Sequence, residues 1–276
     1  MRYVELMPGI RSSALAFGCA SMMGAIGRRQ AEAAIGTALE VGITHFDVAR
    51  SYGFGEAEKL LGRSLSHVRD QVVIATKFGF EATPLARLLG PVKPIVRKLR
   101  GKNTRHAKAA EGGGAAAISS RWQRRITIDA AGMRRSVEQS LRALGTDYLD
   151  YLFFHEPGSN ELNEGIFEEV TRLKSSGKIR GFGTAGYFPQ LIDSIKWLNK
   201  LDLCQFELSV SSPHYQQAVM LRGHQPNVLF SVLRNRPSGV SILETIRTLN
   251  TDMPSSVILM AMFTPEHILA NAAALS

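Results

Sequence analysis

Eight times along its 276 residues the chain alternates a short apolar run with a segment of helical spacing, and few folds accept that rhythm. Residues 14–19, 43–48, 72–77, 148–155, 179–184, 203–208, 228–233 and 256–260 read as buried strands. Between and after them, 30–41, 56–65, 130–144, 162–175, 189–198, 213–221, 240–249 and 264–274 read as helices. Punctuation supports the helices: Asp129 stands where an N-cap is needed, Gly145 and Gly177 follow helix ends, and Thr264-Pro265 opens the last one. Eight strand–helix pairs predict a closed (β/α)8 TIM barrel, because a six-stranded doubly wound sheet would leave elements over. The length suits one such domain, 1–276, with residues 1–13 forming a hairpin that plugs the lower end.

One stretch breaks the rhythm. Residues 83–125 carry Pro84, Pro91, Pro94 and the run Gly112-Gly-Gly114, which resist regular structure. They hold eleven of the 33 basic residues and a single acid, Glu111, so the net charge of +9 belongs to this segment and the rest of the chain is near neutral. That distribution argues against a nucleic-acid-binding face built across the fold. Within the stretch, 85–100 has loosely helical apolar spacing with Arg and Lys between, a pattern compatible with a membrane or protein contact. A connection of this length after the third strand is read first as a basic lid over the rim or a disordered excursion, with Trp122 a candidate pocket residue. No apolar run reaches the roughly 18 residues of a membrane span. The N-terminus lacks a secretory pattern, and Cys19 and Cys204 lie in apolar runs as free thiols, so a cytoplasmic location is expected.

Four polar residues stand where strands leave the core. Asp47 closes the second run and Tyr52 follows five residues on. Lys77 closes the third, and His155 ends Tyr151-Leu-Phe-Phe-His155. Taken singly, each has an ordinary structural reading. An acid, a phenol, an ammonium and an imidazole gathered at one rim of a parallel barrel would make a proton-transfer site. His45, one strand repeat from Asp47, is read as structural. Gly181-Phe-Gly183-Thr-Ala-Gly186 matches G-x-G-x-x-G but falls in a predicted strand with no acid well placed downstream, so a Rossmann reading fails.

Gly42-Ile-Thr-His-Phe-Asp47-Val-Ala-Arg-Ser-Tyr52-Gly53, with Leu60-Leu-Gly62 after it, resembles the signature of the aldo-keto reductase superfamily. Val72-Val-Ile-Ala-Thr-Lys77, Leu144-Gly-Thr-Asp147-Tyr-Leu-Asp150-Tyr-Leu-Phe-Phe-His155 and Gly177-Lys-Ile-Arg180-Gly-Phe-Gly183 resemble three further strands of that family. The resemblance implies an NAD(P)-dependent oxidoreductase acting on an aldehyde, ketone or sugar-like carbonyl, or on the matching alcohol. It assigns Tyr52 as general acid/base, Lys77 as the cation that stabilises the phenolate, Asp47 as its ion-pair partner and His155 as the group orienting the substrate oxygen. It also implies a dinucleotide site with Thr184, Gln205, Phe230, Ser231, Arg234, Thr264, His267 and Asn271 as contacts.

The match weakens at that cofactor site. Thr184-Ala185 replaces the family's Ser-Asn, and Ala261, Met262 and His267 stand where many members place Lys, Ser and Arg. Arg234 and Arg236 are candidate replacements, and NADP and NAD both stay open. A small-molecule substrate is the expected partner, with no nucleic acid, no metal and an unassigned oligomeric state. The alternative is a non-catalytic cofactor-sensing or regulatory subunit of the same fold that binds a partner through its basic insertion.

Overall fold

Strand Val73–Phe78 explains the architecture in miniature: all six residues are buried, which only a sheet covered on both faces allows. The computed structural model describes residues 1–89, 122–158 and 160–275. A hairpin comes first, β1 (Tyr3–Met7) paired antiparallel with β2 (Ile10–Ser13). Eight strands then follow in the barrel: β3 (Leu15–Gly18), β4 (His45–Asp47), β5 (Val73–Phe78), β8 (Leu149–His155), β9 (Ile179–Tyr187), β10 (Leu203–Glu207), β11 (Asn227–Phe230) and β12 (Ser256–Met260). Each pairs in parallel with its neighbours, and β12 closes on β3 through Ile258↔Leu15. This is the (β/α)8 barrel that the alternation predicts, with the hairpin where it was expected.

The outer layer is made of α1 (Arg28–Glu40), α2 (Ala57–Leu65), α4 (Ala130–Leu144), α5 (Glu164–Ser175), α6 (Phe188–Asp193), α7 (Tyr215–Arg222), α8 (Ile242–Asp252) and α9 (Pro265–Ala273), with α3 (Pro84–Leu89) standing off the barrel rhythm. Capping residues set several ends. The Asp129 carboxylate accepts from Gly132 N–H at 2.6 Å, and Gly145 closes α4 at φ +67, a left-handed position that glycine adopts without steric cost. Asn163 caps α5 and Ser241 caps α8 in the same way. Gly62 matters differently: a Cβ there would fall 2.0 Å from the Leu144 carbonyl oxygen, so α2 and α4 touch backbone to backbone.

Three expectations need correction. The helix expected over 189–198 splits into α6 and a 3-10 turn, Ile195–Lys200, because Ser194 N–H divides its bond between Gln190 and Leu191 carbonyls and tightens the turn. β9 runs on to Tyr187 and takes in Thr184 and Ala185, which the sequence placed at a strand end. The stretch 83–125 is not irregular throughout. β6 (Phe80–Ala82) pairs antiparallel with β7 (Gln123–Arg125), and Pro84 starts α3 at the position where a missing N–H costs nothing.

Glu81 anchors the base of this arm, accepting from Arg87 at 2.7 Å and from Arg124 at 2.6 Å. Arg125 binds Glu161. The rest of the basic segment, and with it most of the amphipathic run 85–100, lies outside the described residues. No helix among those described is long and apolar enough to cross a membrane. Cys19 and Cys204 are buried free thiols.

Candidate active site

Strand alternation decides which side chains enter the barrel mouth. Along β4, His45 and Asp47 point inward; along β5 it is Lys77, along β8 it is Tyr151, Phe153 and His155. Parallel register then brings the carboxyl-end residues level, with His155 opposite Ala185 and Ala185 opposite Gln205. Tyr52 arrives from the turn Tyr52–Gly55 after β4. That turn depends on Gly53, which sits at φ +57 and whose Cβ would lie 2.5 Å from the Met22 carbonyl oxygen. Four residues scattered over a hundred positions thus line a single cavity of about 460 Å³ at the carboxyl ends of the strands.

Inside it, Lys77 Nζ donates to Asp47 Oδ1 and, at 3.1 Å, to the Val48 carbonyl. Gln205 Nε2 donates to the other carboxylate oxygen, Asp47 Oδ2, at 3.1 Å. Lys77 Nζ lies 5.3 Å from the centre of the Tyr52 ring, and the Tyr52 and His155 rings meet edge to face at 6.4 Å. Phe80 closes on His155 from the other side at 5.3 Å.

Burial governs the protonation of this group. Burial alone would lower Lys77, but Asp47 and Tyr52 together more than offset it, so the amine sits above its ordinary value and stays an ammonium. Burial pushes the Asp47 carboxyl up, while Lys77 and Gln205 pull against that through its two oxygens. For Tyr52, burial outweighs the pull of Lys77 and raises the phenol above its usual range. Burial, with Lys77 and Arg125 adding repulsion, lowers His155 to about 3, so its imidazole is neutral at physiological pH. The arrangement can therefore hold a protonated phenol and a neutral imidazole against one oxygen atom.

The cofactor contacts expected from sequence divide into two sets. Gln205, Phe230 and Ser231 line the cavity with the four residues above. Thr184 does not: alternation along β9 presents Ala185 to the cavity and turns Thr184 the other way. Arg234, Thr264, His267 and Asn271 also lie outside the cavity lining. Arg234 is bound to Glu207 at 2.6 Å and His267 is exposed on α9. Thr264 Oγ1 is buried with no partner among the described residues, Asn271 is buried, and Arg236 donates to the Val240 carbonyl. Trp122 packs against Phe54 with ring centres 5.8 Å apart and is not part of the lining.

Sequence reasoning overlooked Glu156, Val232, Leu233, Leu259 and Met260, all on the cavity wall. Glu156 had a visible signal, an acid between His155 and Pro157; the apolar four had none, since wall and core residues look alike in sequence.

His45 is structural, bonding Ser12 Oγ through Nδ1 at 2.9 Å beneath the site. The Gly181 and Gly183 spacing has its own cause. A Cβ at Gly181 would fall 2.7 Å from the Tyr151 ring, and one at Gly183 would fall 2.0 Å from the Leu203 carbonyl oxygen. Those glycines make room for barrel packing. Among the described residues no group of side chains is arranged to hold a metal ion.

Comparison with known proteins agrees with the barrel. Residues 14–249 match the model of the aldo/keto reductase family. Aldo-keto reductase YhdN of Bacillus subtilis is 26% identical over 230 residues, covering 80% of this chain and 57% of that protein. Pyridoxal 4-dehydrogenase of Microbacterium luteolum is 30% identical over 198 residues, covering 63% of this chain and 52% of that protein. The chain thus spans about half the length of the curated relatives it matches. Among solved structures, a putative aldo-keto reductase from Pseudomonas aeruginosa superposes with a TM-score of 0.71 at 20% identity, covering 100% of this chain and 96% of that one. A Klebsiella pneumoniae aldo/keto reductase in complex with NADP and acetate gives 0.65 at 19% identity, covering 99% and 89%. With the family model matched from the first barrel strand to the helix before the last, this chain belongs to the aldo/keto reductase family.

Proposed function

We propose that this chain, as one barrel domain, is an NAD(P)-dependent oxidoreductase that reduces an aldehyde, ketone or sugar-like carbonyl, or oxidises the matching alcohol, with Tyr52 as general acid/base. The observation that carries the reading is the common cavity of Tyr52, Lys77, Asp47 and His155 at the carboxyl ends of the strands. A nicotinamide fits the opposite wall. Gln205 Oε1 is buried without a partner, placed to accept from a carboxamide N–H, and the half-buried Phe230 ring offers a stacking face beside Ser231. When bound, the nicotinamide supplies or accepts the hydride.

The chain's own residues handle the proton. Tyr52, kept protonated by burial, gives its hydroxyl proton to the carbonyl oxygen as charge develops there. Lys77 then faces the resulting phenolate, and the ion pair with Asp47 keeps its ammonium in place. His155, neutral, donates an N–H to the same oxygen and fixes its direction. In the oxidative direction Tyr52 takes the alcohol proton back by the same path. The apolar wall of Val232, Leu233 and Leu259 excludes water from that exchange.

The test is a turnover screen of the purified chain with NADH and NADPH against aldehydes, ketones and aldoses, repeated with Tyr52→Phe. The wild type should turn over members of the panel. The variant should lose about a hundred- to ten-thousandfold in rate, the range for losing a positioned acid, while still quenching cofactor fluorescence. Turnover that survives in the variant removes the proton-donor role.

A further inference from the structure

Among the described residues, Glu156 is the one ionisable side chain on the cavity wall that the chemistry above leaves unused. It follows His155 directly, and its backbone sits at φ +49. Left-handed φ is uncommon for a residue other than glycine, and a residue that precedes a proline, here Pro157, is normally held extended. The neighbouring strand holds this conformation: Glu156 N–H donates to the Ala185 carbonyl at 2.6 Å. Backbone strain of this kind clusters at active sites and ligand clamps.

Neither oxygen of the Glu156 carboxylate has a hydrogen-bond partner among the described residues. Arg125, the cation that acts on it, is already bound to Glu161 and to the His155 carbonyl. Burial raises the Glu156 carboxyl, as expected of a half-enclosed acceptor with nothing bound to it. Burial raises the phenol of Tyr187, and the charges of Glu156 and Glu207 add to that. The wall of Val232, Leu233, Leu259 and Met260 offers a substrate no charge at all.

We propose that Glu156 is a specificity-determining residue. Its carboxylate accepts hydrogen bonds from hydroxyl groups carried next to the reacting carbonyl, and its charge turns away substrates bearing a carboxylate of their own. This rests on the reading of the chain as a carbonyl oxidoreductase. A charge-assisted bond is about twice as strong as a neutral one, and two like charges in a partly enclosed cavity repel more than in water. The site therefore favours a neutral hydroxylated aldehyde over an anionic one of similar size.

Two substrate pairs isolate the effect. Glyceraldehyde against propanal varies the hydroxyls at constant chain length; succinic semialdehyde against butanal varies the carboxylate. In Glu156→Gln, the kcat/KM ratio of glyceraldehyde to propanal should fall about tenfold, and that of succinic semialdehyde to butanal should rise about tenfold, each from loss of one charged contact. If the Gln variant does not fold, Glu156→Asn, which tolerates left-handed φ better, carries the same comparison. Ratios that stay at the wild-type values, or a variant that slows all four aldehydes by one common factor, overturn the proposal. A wild-type chain that turns over none of the four removes this inference, and one that also turns over nothing in the wider panel of aldehydes, ketones and aldoses removes the underlying enzyme reading.

Discussion

Replacing Lys77 by Met tests the electrostatic centre of the barrel. Lys77 is 3% exposed and Asp47 2%, so the pair is as dry as the apolar core around it. Removing one partner of a buried pair strands the other, and that costs about 3–5 kcal/mol. Gln205 still donates to Asp47 Oδ2 at 3.1 Å, which places the expected loss toward the lower end of that range.

Asp47 has an escape: it takes up a proton. Burial already raises its pKa, and without Lys77 the folded-state value rises further above the unfolded one. A carboxyl whose folded pKa is raised contributes its full stability below the unfolded value and loses it as pH climbs through the folded one. The Lys77→Met penalty should therefore grow with pH, by up to about 1.4 kcal/mol per pH unit, between the folded-state pKa of Asp47 in the wild type and its higher value in the variant. Urea unfolding of the wild type, Lys77→Met, Asp47→Asn and the double variant, at about pH 5 and about pH 8, reads both effects. The double variant should be more stable than the sum of the singles allows, by at least about 1.5 kcal/mol. Single losses that add within about 0.5 kcal/mol, or a Lys77→Met penalty equal at the two pH values, would refute the ion-pair argument.

Two further outcomes follow from the geometry. Gly62→Ala drives a methyl to 2.0 Å from the Leu144 carbonyl oxygen and should cost about 1–3 kcal/mol, read as a fall of several degrees in Tm; Gly36→Ala, with open space around its Cβ, is the control and should not destabilise, so equal behaviour of the two would sink the close-approach reading. At the adenosine end, Arg234 is engaged by Glu207 and His267 lies exposed, so the extra phosphate of NADPH finds little fixed charge; fluorescence quenching should show no more than a few-fold preference for NADPH over NADH, and a preference of about a hundredfold or more, the equivalent of about 2.7 kcal/mol, would show that the contact had been missed.

Much of this molecule is legible in its sequence. Val73–Phe78 and Leu149–His155 announce themselves because strands buried on both faces need unbroken apolar runs, and Asp129 and Gly145 mark α4 because helix ends leave backbone groups that particular side chains satisfy. Asp47, Tyr52, Lys77 and His155 stood out because polar residues at the ends of such runs are conspicuous. The pairing of Phe80–Ala82 with Gln123–Arg125 did not, since its partners are some forty positions apart and neither has a periodic signature. Thr184 was misplaced as a cavity contact for a related reason. A one-residue step along a strand reverses the face, and the register that sets it belongs to the neighbouring strands.

The sequence by itself determined the eightfold alternation, the helix ends and the identities of the polar residues at the strand ends, because local hydrogen bonding and burial periodicity are written into neighbouring positions. Only the tertiary structure decided that Ala185 and not Thr184 faces the cavity, that Gln205 shares its amide with Asp47, and that Glu156 lines the mouth with no side-chain hydrogen bond among the described residues. Those are matters of register and of distance across the barrel, fixed when eight strands close on one another and not by any stretch of chain alone.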